Sequence, residues 1–431
     1  MADQANDDTP KVAVLASLRH RDFRFLWTGA VMSSMSRWSM LVGQGWYIHA
    51  ETGSATLVGL GTLAAFVPFL AGPLLGGPMA DRYDRRKLAA ATFATNFVLI
   101  ALLAVLAAFG LAAVWLVITL AFLTGLARSV ENPSIQALAP TLVPKSDLLN
   151  AIVLMGMARH GARLGGPALA AVMLPTVGPS GAFAAAAVAS GLAALSMLGV
   201  RTTSRGNAEA SRHVIKNFVE ALRFLYARPA LALTMGLIAA HCSLTMSYEA
   251  VLPVFAADNL GGGSTTYSTL FMGVGIGAVG ASLLIANLRH DRTKGKWLFI
   301  TGIASGLAPI GLGLTPLYSL ALPLAIMVGA SQTAFMSLTN AFIMGSVPDS
   351  VRGRMSSLSL MHAGGMMGFA NLLNGQIADH YGATLVFVIT GIVYLAVLAF
   401  MLQLGGALRA VFTTGTMSLE PRGSSSNLTP K

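Results

Sequence analysis

The sequence predicts an all-α membrane protein whose twelve transmembrane helices form two pseudo-symmetric bundles of six. The first reason is composition, because 55% of the 431 residues are hydrophobic and only 10% are charged, whereas soluble domains carry about 25% charged residues. The second reason is a series of apolar stretches long enough to cross a bilayer. The third is that the two halves of the chain repeat short motifs in the same order. This composition excludes a soluble enzyme and a nucleic-acid-binding protein.

Twelve stretches contain the roughly 20 mostly apolar residues that are needed to cross about 30 Å of hydrocarbon. They are 24–48, 55–79, 88–110, 112–139, 149–174, 180–200, 230–256, 266–288, 296–314, 316–346, 355–378 and 382–408. The stretch 112–139 is unusually polar, because it contains the sequence Arg-Ser-Val-Glu-Asn-Pro at 128–133.

Lysines and arginines are unevenly placed along the chain. Apart from a few arginines within the apolar stretches, they lie in the two tails and in the even-numbered loops. The odd-numbered loops carry acidic residues instead, namely Glu51, Asp258 and Asp379. Because positively charged loops stay in the cytoplasm, we expect both termini to be cytoplasmic. One missing or extra span would scatter these charges over both sides, so the charge pattern also supports the count of twelve.

The same pattern divides the chain into five regions. We expect a cytoplasmic N-terminal tail (1–22), a six-helix bundle (23–200), a cytoplasmic linker (201–229), a second six-helix bundle (230–410) and a disordered cytoplasmic tail (411–431). Within the linker, apolar residues recur at helical spacing between Val214 and Leu225, which predicts an amphipathic helix along the membrane surface. A solvated helix without a partner is the alternative.

Metal and cofactor chemistry find little support in the sequence. The single cysteine, Cys242, excludes a disulfide framework and a CxxC metal site. Gly275, Gly277 and Gly280 form a GxGxxG pattern, but they lie within an apolar span without a preceding strand. The pattern therefore indicates helix packing instead of dinucleotide binding. We expect no cofactor, no metal ion and no enzymatic reaction.

The two halves of the chain echo each other. An Asp-Arg pair follows the second span at 81–82 and the eighth at 291–292, and a Val-Pro pair follows the fourth at 143–144 and the tenth at 347–348. Such a duplication is typical of transporters whose binding site lies between the halves, near the middle of the membrane.

The segment from Gly77 to Lys87 resembles the loop motif G-x-x-x-D-R-x-G-x-R-R of the major facilitator superfamily, and Asp84 stands where that family usually has glycine. Further short sequences resemble the openings of its bacterial secretion-effector branch, which includes siderophore exporters and macrolide efflux proteins. These are Leu-Arg at 18–19, Phe-Arg at 23–24, Leu-Trp at 26–27 and Thr-Gly-Ser at 52–54. The resemblance implies the major facilitator fold, a monomer, and a place in the bacterial inner membrane.

The resemblance also implies roles for two motifs. The loop motif would form a charge lock between helices that favours the outward-facing state, and a plain positive-inside anchor is the alternative. The lock residues are Gly77, Asp81, Arg82, Arg85 and Arg86. In the fifth span, the sequence around Gly166 and Pro167 resembles the antiporter motif G-x-x-x-G-P-x-x-G-G, with alanine in place of three glycines. That motif is associated with exporters.

Four arginines lie inside the spans, where a charged side chain at the bilayer centre costs about 2.5–3.5 kcal/mol on insertion scales. They are Arg37, Arg128, Arg159 and Arg163. Only two carboxylates within the spans oppose them, Glu131 and Glu249. We therefore expect a net basic cavity that prefers anionic or oxygen-rich substrates. The alternative is that the arginines bond backbone carbonyls and hold helices together.

Proton coupling needs a group that gains a proton on one side of the membrane and releases it on the other. Arg128 and Glu131 share one helix face at i,i+3, where they can pair, and movement of the arginine would change the proton affinity of the carboxylate. We expect Glu131 to carry the proton, with Glu249 and then His241 as further candidates. A permanent structural ion pair is the alternative for Glu131.

Together these observations predict a transporter that exports a small molecule, siderophore-like or drug-like, by proton-coupled antiport with alternating access. Its expected partners are the substrate, protons and the lipid bilayer, without nucleic acid. Uptake of an organic anion by symport or facilitated diffusion is an alternative, because a basic cavity also permits it. A non-transporting membrane sensor or assembly partner is a second alternative, although a structural bundle gains nothing from costly ionisable residues in its spans.

Overall fold

The computed structural model describes residues 15–206, 214–288, 290–404 and 406–414. A short 3-10 helix at Ala16–Arg19 precedes the first bundle. The helices of the first half are α1 (Arg21–Thr52), α2 (Ala55–Phe66), α3 (Pro68–Arg82), α4 (Arg85–Ala108), α5 (Val114–Leu138), α6 (Leu148–Val177) and α7 (Pro179–Ser196). Further 3-10 turns lie at Ala139–Thr141, Lys145–Asp147 and Met197–Gly199.

The second half has the same succession of long helices. They are α8 (Val214–Tyr226), α9 (Pro229–Leu244), α10 (Leu252–Val254), α11 (Ser264–Ala286), α12 (Asp291–Leu314), α13 (Tyr318–Ser346), α14 (Asp349–Tyr381), α15 (Ala383–Leu404) and α16 (Gly406–Thr414). A π-helical turn at Phe255–Asn259 continues α10. Over the described ranges, the one non-helical pairing is an isolated bridge between Asp84 and Arg205. The fold class is therefore the all-α membrane class that the sequence predicts.

Eight helical segments in the described part of the chain are long and apolar enough to cross a membrane. The other four expected spans contain α1, α6, α9 and α14, which are spans 1, 5, 7 and 11. Helix α9 is apolar but has only 16 residues, and it passes the same test when it is taken together with Phe218–Tyr226. Helices α1, α6 and α14 are long enough but less apolar. This distribution is consistent with twelve spans in two equivalent bundles, whose inner helices carry the polar groups.

Glycine and proline set the ends of several helices. Gly53 has a φ of 65°, a left-handed conformation that glycine adopts without a steric penalty, and it ends α1. Pro179 occupies the first turn of α7, where its missing N–H has no helical partner to lose. The second span, predicted as one stretch over 55–79, is divided into α2 and α3 because Pro68 cannot donate a helical hydrogen bond.

The seventh span differs from the continuous helix predicted over 230–256. Helix α9 ends at Leu244, and the backbone is irregular until α10 begins at Leu252. Residues of an irregular segment at membrane depth need hydrogen-bond partners inside the protein. The side chains that supply them come from α13 and α14, as described below.

The linker and the C-terminal region also differ in detail from the expected boundaries. Helix α8 makes an angle of 106° with α9, so it runs across the axis of the bundle, in the direction required of a surface helix. Residues 207–213 of the linker lie outside the described residues. The expected span 382–408 ends as a helix at Leu404, and α16 continues to Thr414, four residues into the predicted tail. The remainder of that tail, 415–431, also lies outside the described residues.

The two ends of the bundle differ in charge, and we name them accordingly. The acidic end carries the α1–α2 turn with Glu51, together with Asp258 and Asp379. The basic end carries the α3–α4 and α5–α6 connections and the linker. Towards the acidic end, α2 packs tightly on α14, because a Cβ at Gly59 would lie 2.6 Å from the carbonyl oxygen of Asn371.

A second contact between the halves lies near the middle of α6 and α11. A Cβ at Gly275 would lie 2.7 Å from the Cα of Leu164 in the first half. Within the second half, a Cβ at Gly277 would lie 2.7 Å from the backbone nitrogen of Ala330 on α13. At Gly280 there is open space. Two of the three GxGxxG glycines therefore allow close helix approach, which confirms the interpretation of this pattern as a packing surface.

Candidate functional site

A cavity of about 740 Å³, part of it open to solvent, lies in the basic-end half of the molecule. Its walls come from α1, α5 and α6, and Leu360 of α14 contributes from the second half. The ionisable residues in its lining are Arg37, Arg128, Arg159 and Glu131. A second space of about 330 Å³ lies further towards the acidic end and shares Arg37 and Arg128 with the first. Three of the four arginines within the spans therefore face one chamber with a single carboxylate.

Arg37 is held by aromatic rings. Its guanidinium lies 5.0 Å from the ring centre of Phe66, 5.1 Å from that of Phe69 and 5.7 Å from that of Trp38, at distances suited to cation–π attraction. Among the described residues, none forms a hydrogen bond or an ion pair with this guanidinium. Its five N–H donors are therefore available to an anion in the cavity.

Arg163 shares this arrangement. Its guanidinium lies 4.8 Å from the ring centre of Trp38, so Trp38 contacts both arginines. The described part of the chain offers Arg163 no carboxylate within ion-pair distance and no backbone acceptor. Among the described residues, neither Arg37 nor Arg163 forms the hydrogen bonds to backbone carbonyls that the alternative interpretation requires. Arg163 does not line either space.

Arg128 and Glu131 are brought together as predicted, but through a third residue. Nη1 of Arg128 donates to the backbone oxygen of Ser33 at 3.1 Å and contacts its Oγ at 3.4 Å. The Ser33 hydroxyl in turn donates to Oε1 of Glu131 at 2.6 Å. Within the described residues, no direct ion pair joins the two side chains, because Ser33 of α1 stands between them.

Glu131 is 5% exposed, and it has a second donor besides Ser33. Nδ2 of Asn96 on α4 donates to Oε2 of Glu131 at 3.0 Å. The carboxylate is thus held by α1 and α4 while it faces the cavity from α5. Nη2 of Arg128 is buried without a hydrogen-bond partner in the described part of the structure. A buried unsatisfied donor beside a cavity is where a ligand oxygen gains most.

Glu249 lies in the irregular segment of the seventh span and does not line the cavity. Nδ2 of Asn371 donates to Oε2 of Glu249 at 2.9 Å, and Oδ1 of the same amide accepts from the backbone N–H of Ala250 at 3.0 Å. Asn374 and Gln332 donate to the backbone oxygens of Ser247 and Thr245, each at 2.6 Å. These three amides replace the helical hydrogen bonds that the break removes.

His241 is separated from both spaces. Its ring is fully buried within the second bundle, stacks on Phe335 at a centroid distance of 4.5 Å and meets Tyr394 edge-on at 5.4 Å. Neither ring nitrogen has a partner among the described residues. The structure therefore brings Arg37, Arg128 and Glu131 together, but it does not bring Glu249 or His241 to the same chamber.

The loop motif ties elements of the first half to one another. Nη2 of Arg85 lies 3.5 Å from Oδ1 of Asp81, and its Nη1 donates to the carbonyl oxygen of Ala137 at the end of α5, at 3.2 Å. Arg82 is exposed. A Cβ at Gly77 would meet open space, whereas Gly76 is the glycine that packs on α5. In this state the motif joins α3, α4 and α5, and it forms no hydrogen bond or ion pair with the second half among the described residues.

Asp84, which replaces the usual glycine of the motif, has a local role. It is the N-cap of α4, and its Oδ1 accepts from the backbone N–H of Arg86 at 2.9 Å. Its φ of −63° is ordinary for any residue, so glycine is not required there. The linker docks beside it, because the backbone N–H of Arg85 donates to the carbonyl oxygen of Ser204 at 2.8 Å.

The start of the linker is also attached to α1. Oδ2 of Asp22 accepts from the backbone N–H groups of Arg201 at 2.9 Å and Thr202 at 2.7 Å, and from the Thr202 hydroxyl at 2.6 Å. Burial would raise the pKa of Asp22, but these hydrogen bonds outweigh it and lower the pKa below its usual value. Residues 201–204 therefore belong to the first bundle.

The antiporter-like motif forms the crossing of three helices. A Cβ at Gly166 would lie 2.7 Å from the backbone oxygen of Met35 on α1, so only glycine allows this approach. Pro167 has no N–H, and the carbonyl oxygen of Arg163, four residues earlier, loses its helical donor. That oxygen faces Gly275 of α11, which explains why the two halves meet closely at this level.

Sequence reasoning missed three residues of the site. Ser33 lies one helical turn before Arg37, so helical spacing could have placed it on the same face. Asn96 is the one amide side chain in the apolar stretch 88–110, and an isolated polar residue in a span indicates a buried partner. Trp38 is the third residue, and nothing in its sequence neighbourhood predicts a position between two arginines.

Comparison with known proteins agrees with this architecture. A family model described as transmembrane secretion effector matches residues 12–415. The staphyloferrin A transporter of Staphylococcus aureus is 24% identical over 372 residues, which cover 86% of this chain and 92% of that protein. An enterobactin exporter, EntS, of Escherichia coli is 26% identical over 347 residues, which cover 79% of this chain and 81% of that protein.

Solved structures show the same fold at low identity. A POT family transporter in complex with 5-aminolevulinic acid superposes with a TM-score of 0.70 at 13% identity, covering 89% of this chain and 96% of the other. The nucleoside transporter NupG gives a TM-score of 0.65 at 13% identity, with coverage of 88% and 98%. These two likenesses concern the fold.

Proposed function

Because this chain belongs to the transmembrane secretion effector family of the major facilitator superfamily, a family of membrane transporters, we propose that it exports an oxygen-rich, anionic small molecule of the siderophore type in exchange for protons. The observation that carries the proposal is the chamber in which Arg37 and Arg128 offer unpaired donors beside one carboxylate. The siderophore class is supported by the names of two relatives, a staphyloferrin A transporter and an enterobactin exporter. The protein would work as a monomer in the bacterial inner membrane.

The orientation follows from the positive-inside rule. With the basic end in the cytoplasm, the chamber of about 740 Å³ faces the compartment in which an exported molecule is made. The opposite end is closed by the contact of α2 with α14. The structure then corresponds to the state that loads substrate from the cytoplasm.

Recognition would use charge and aromatic surface together. Siderophores bind ferric iron through carboxylate, hydroxyl or catechol oxygens, and guanidinium groups match paired oxygens with two parallel hydrogen bonds. The faces of Trp38, Phe66 and Phe69 orient Arg37 and could stack against a planar ring of the substrate. A cationic drug would meet three arginines and one glutamate in this lining, so lipophilic cations fit the chamber poorly.

Exchange with protons requires that substrate and proton compete for one group. Glu131 can supply this competition, because a deprotonated carboxylate accepts hydrogen bonds from substrate hydroxyls through both oxygens, whereas protonation removes its charge and turns one oxygen into a donor. In the loaded state the substrate would contact both Glu131 and Arg128. In the return state a proton would occupy Glu131, which leaves Arg128 bonded to Ser33.

Symport of an anion with protons is the second candidate, and the charge count favours it. If the substrate contacts only the arginines, protonation of Glu131 makes the chamber more positive and strengthens anion binding, so proton and substrate bind together. The two functions therefore differ in whether the substrate donates a hydrogen bond to Glu131. They predict opposite responses to a proton gradient.

Inside-out membrane vesicles distinguish the two functions. The probes are the iron-free forms of staphyloferrin A and enterobactin, added outside the vesicles. The lumen, which corresponds to the outer side of the membrane, is acidified. An antiporter accumulates the probe in the lumen, and collapse of the gradient with a protonophore abolishes the accumulation. Depletion of the probe from preloaded vesicles would establish symport instead. No movement of either probe would reject the siderophore class.

Substitutions then assign the groups. A hydrogen bond from a charged donor contributes about 1.5–3 kcal/mol. If Arg37 donates to an oxygen of the bound probe, Arg37→Gln should raise KM for the transported probe about ten-fold or more. Arg24→Gln is the matched control, because Arg24 is exposed on the same helix. Glu131→Gln should retain exchange of labelled for unlabelled substrate while losing its response to the proton gradient. A fully gradient-driven Glu131→Gln variant would contradict the assignment.

A further inference from the structure

The acidic end is closed by a hydrogen-bonded contact that neither the cavity nor the loop motif includes. Asp379 lies in the last turn of α14, in the second half, and its carboxylate reaches the first turn of α2 in the first half. Its Oδ1 accepts from the backbone N–H of Ala55 at 2.6 Å. Its Oδ2 accepts from the backbone N–H of Thr56 at 3.0 Å and from the Ser54 hydroxyl at 2.8 Å.

These bonds complete the hydrogen bonding of the start of α2. The first N–H groups of an α-helix have no helical partner and carry a partial positive charge. Here the N–H of Leu57 donates to Ser54 Oγ at 3.3 Å, and that of Val58 donates to the Ser54 carbonyl oxygen at 3.3 Å. The remaining two donors, those of Ala55 and Thr56, are satisfied by Asp379 of the opposite half.

The contact sits at the end of a tight helix crossing. A Cβ at Gly375, one turn before Asp379, would lie 2.8 Å from the carbonyl carbon of Ala55. Burial would raise the pKa of Asp379, but the bonds from Thr56 and Ser54 and from the backbone of Ala55 outweigh it and lower the pKa. The carboxylate is therefore ionised when it contacts the helix start, where an anion is most favourable.

At the basic end the situation is different. Asp81 pairs with Arg85 of its own half at 3.5 Å, and the described residues of the loop motif make no bond to the second half. In this state a carboxylate bridges the two halves at the acidic end, while the motif at the basic end bonds within one half. A transporter that alternates between two states needs contacts that form in one and break in the other.

We propose that Asp379 is the latch of the acidic end: its carboxylate caps α2 across the interface when the outer side is closed, and it must leave the helix in every cycle. The inference rests on the proposed alternating transport, but it depends on neither the substrate nor the coupled ion. In the unlatched state the start of α2 is solvated whether or not the carboxylate is present. Removing the carboxylate therefore destabilises only the closed state, which loses its helix cap. The equilibrium therefore shifts towards the state that is open at the acidic end.

The distance between the two halves tests the latch without any substrate. Spin labels at Ala50 and Tyr381, both exposed at the acidic end, report the opening as a change in their distance. The distance is measured by pulsed electron paramagnetic resonance on the full chain in lipid nanodiscs, with Cys242 replaced by alanine. We expect Asp379→Ala to raise the ratio of open to closed molecules about five-fold, the size of effect found when a helix loses its cap. Asp379→Asn keeps one acceptor oxygen without the charge and should fall between.

The matched control is Glu51→Gln, which removes another exposed carboxylate from the same rim and should leave the distances unchanged. Asp379→Glu should restore part of the closed population if its longer side chain reaches the same N–H groups. Distances that are identical in wild type, Asp379→Ala and Asp379→Asn would overturn the proposal. An equal shift with Glu51→Gln would also overturn it, because the effect would then come from overall charge.

Discussion

The crossing of α2 and α14 makes a quantitative prediction about Gly59. Replacing it by alanine adds one methyl group that would lie 2.6 Å from the carbonyl oxygen of Asn371 and 2.9 Å from the Cα of Leu372. An ordinary carbon–oxygen contact is about 3.4 Å, so the helices must separate by about 0.8 Å. Both neighbours are backbone atoms, which cannot rotate away.

The magnitude follows from the cost of overpacking. Forcing an extra methyl group into a filled contact costs about 1–3 kcal/mol, and every 1.4 kcal/mol corresponds to a factor of ten. The cost applies only while α2 touches α14. Gly59→Ala should therefore raise the ratio of molecules open at the acidic end to closed molecules by about 5- to 150-fold.

Chemical labelling measures this shift independently of spin labels. Gln44 lines the smaller space towards the acidic end, and a cysteine placed there reacts with a membrane-impermeant maleimide only when that end opens. In right-side-out vesicles made with Cys242→Ala protein, Gly59→Ala should accelerate the labelling of Gln44→Cys by the factor given above.

Gly280→Ala is the control for this experiment, because a Cβ there meets nothing within 4 Å. It should leave the labelling rate unchanged. The reasoning fails if Gly59→Ala labels at the rate of the parent protein while it remains folded and inserted. It also fails if both alanine variants accelerate labelling equally, since the effect would then be unrelated to the crossing.

Three further predictions concern the polar contacts. Asn371→Ala removes the donor to Glu249 and should lower the free energy of unfolding by about 1–3 kcal/mol, whereas a substitution of exposed Gln376 should leave thermal unfolding in detergent unchanged. Asp84→Ala removes the cap of α4 and should cost about 0.5–2 kcal/mol in the same assay; equal stability would show that the cap has no effect. The pKa of Asp379 is lowered in the closed state, so its contribution to closure is present above its ordinary pKa and is lost as pH falls through the lowered value. The spin-label distances should therefore be constant between about pH 8 and pH 5, and the closed population should fall only below about pH 4; opening already at about pH 6 would contradict this.

The charge pattern predicts which connections share one end of the bundle, because it depends on a rule that acts on the whole chain. Each loop is read separately for lysine, arginine and acidic residues, so errors in helix boundaries hardly matter. The placement of Arg37 near the middle of α1 follows equally simply from its position along an apolar stretch. That Arg37 lacks a carboxylate could not be read in this way, since it depends on which residues other helices bring near.

The break in the seventh span shows why some features escape sequence reasoning. The stretch 230–256 is apolar, and its one proline, Pro253, lies beyond the irregular segment. The break is maintained by Gln332, Asn371 and Asn374, which lie far away in the chain and satisfy the freed backbone groups. Local hydropathy carries no information about such partners.

The pair of Arg128 and Glu131 lies between these cases. Their spacing on α5 correctly predicts a common face and a common chamber. The insertion of Ser33 depends on how closely α1 approaches α5, which spacing within one helix cannot show. Since Ser33 bonds both side chains, the proton affinity of Glu131 depends on the position of α1 as well as on Arg128.

The weak apolarity of α1 has a consequence for how the protein is made. Helix α1 leaves the ribosome before α2 and α3, and it carries Arg37 into the translocon at a cost of about 2.5–3.5 kcal/mol for a lone helix. The rings that surround this guanidinium, Phe66 and Phe69, belong to the next hairpin. Helix α1 is therefore stably inserted only after α2 and α3 have been made and pack against it. We expect neighbouring helices to assemble during synthesis.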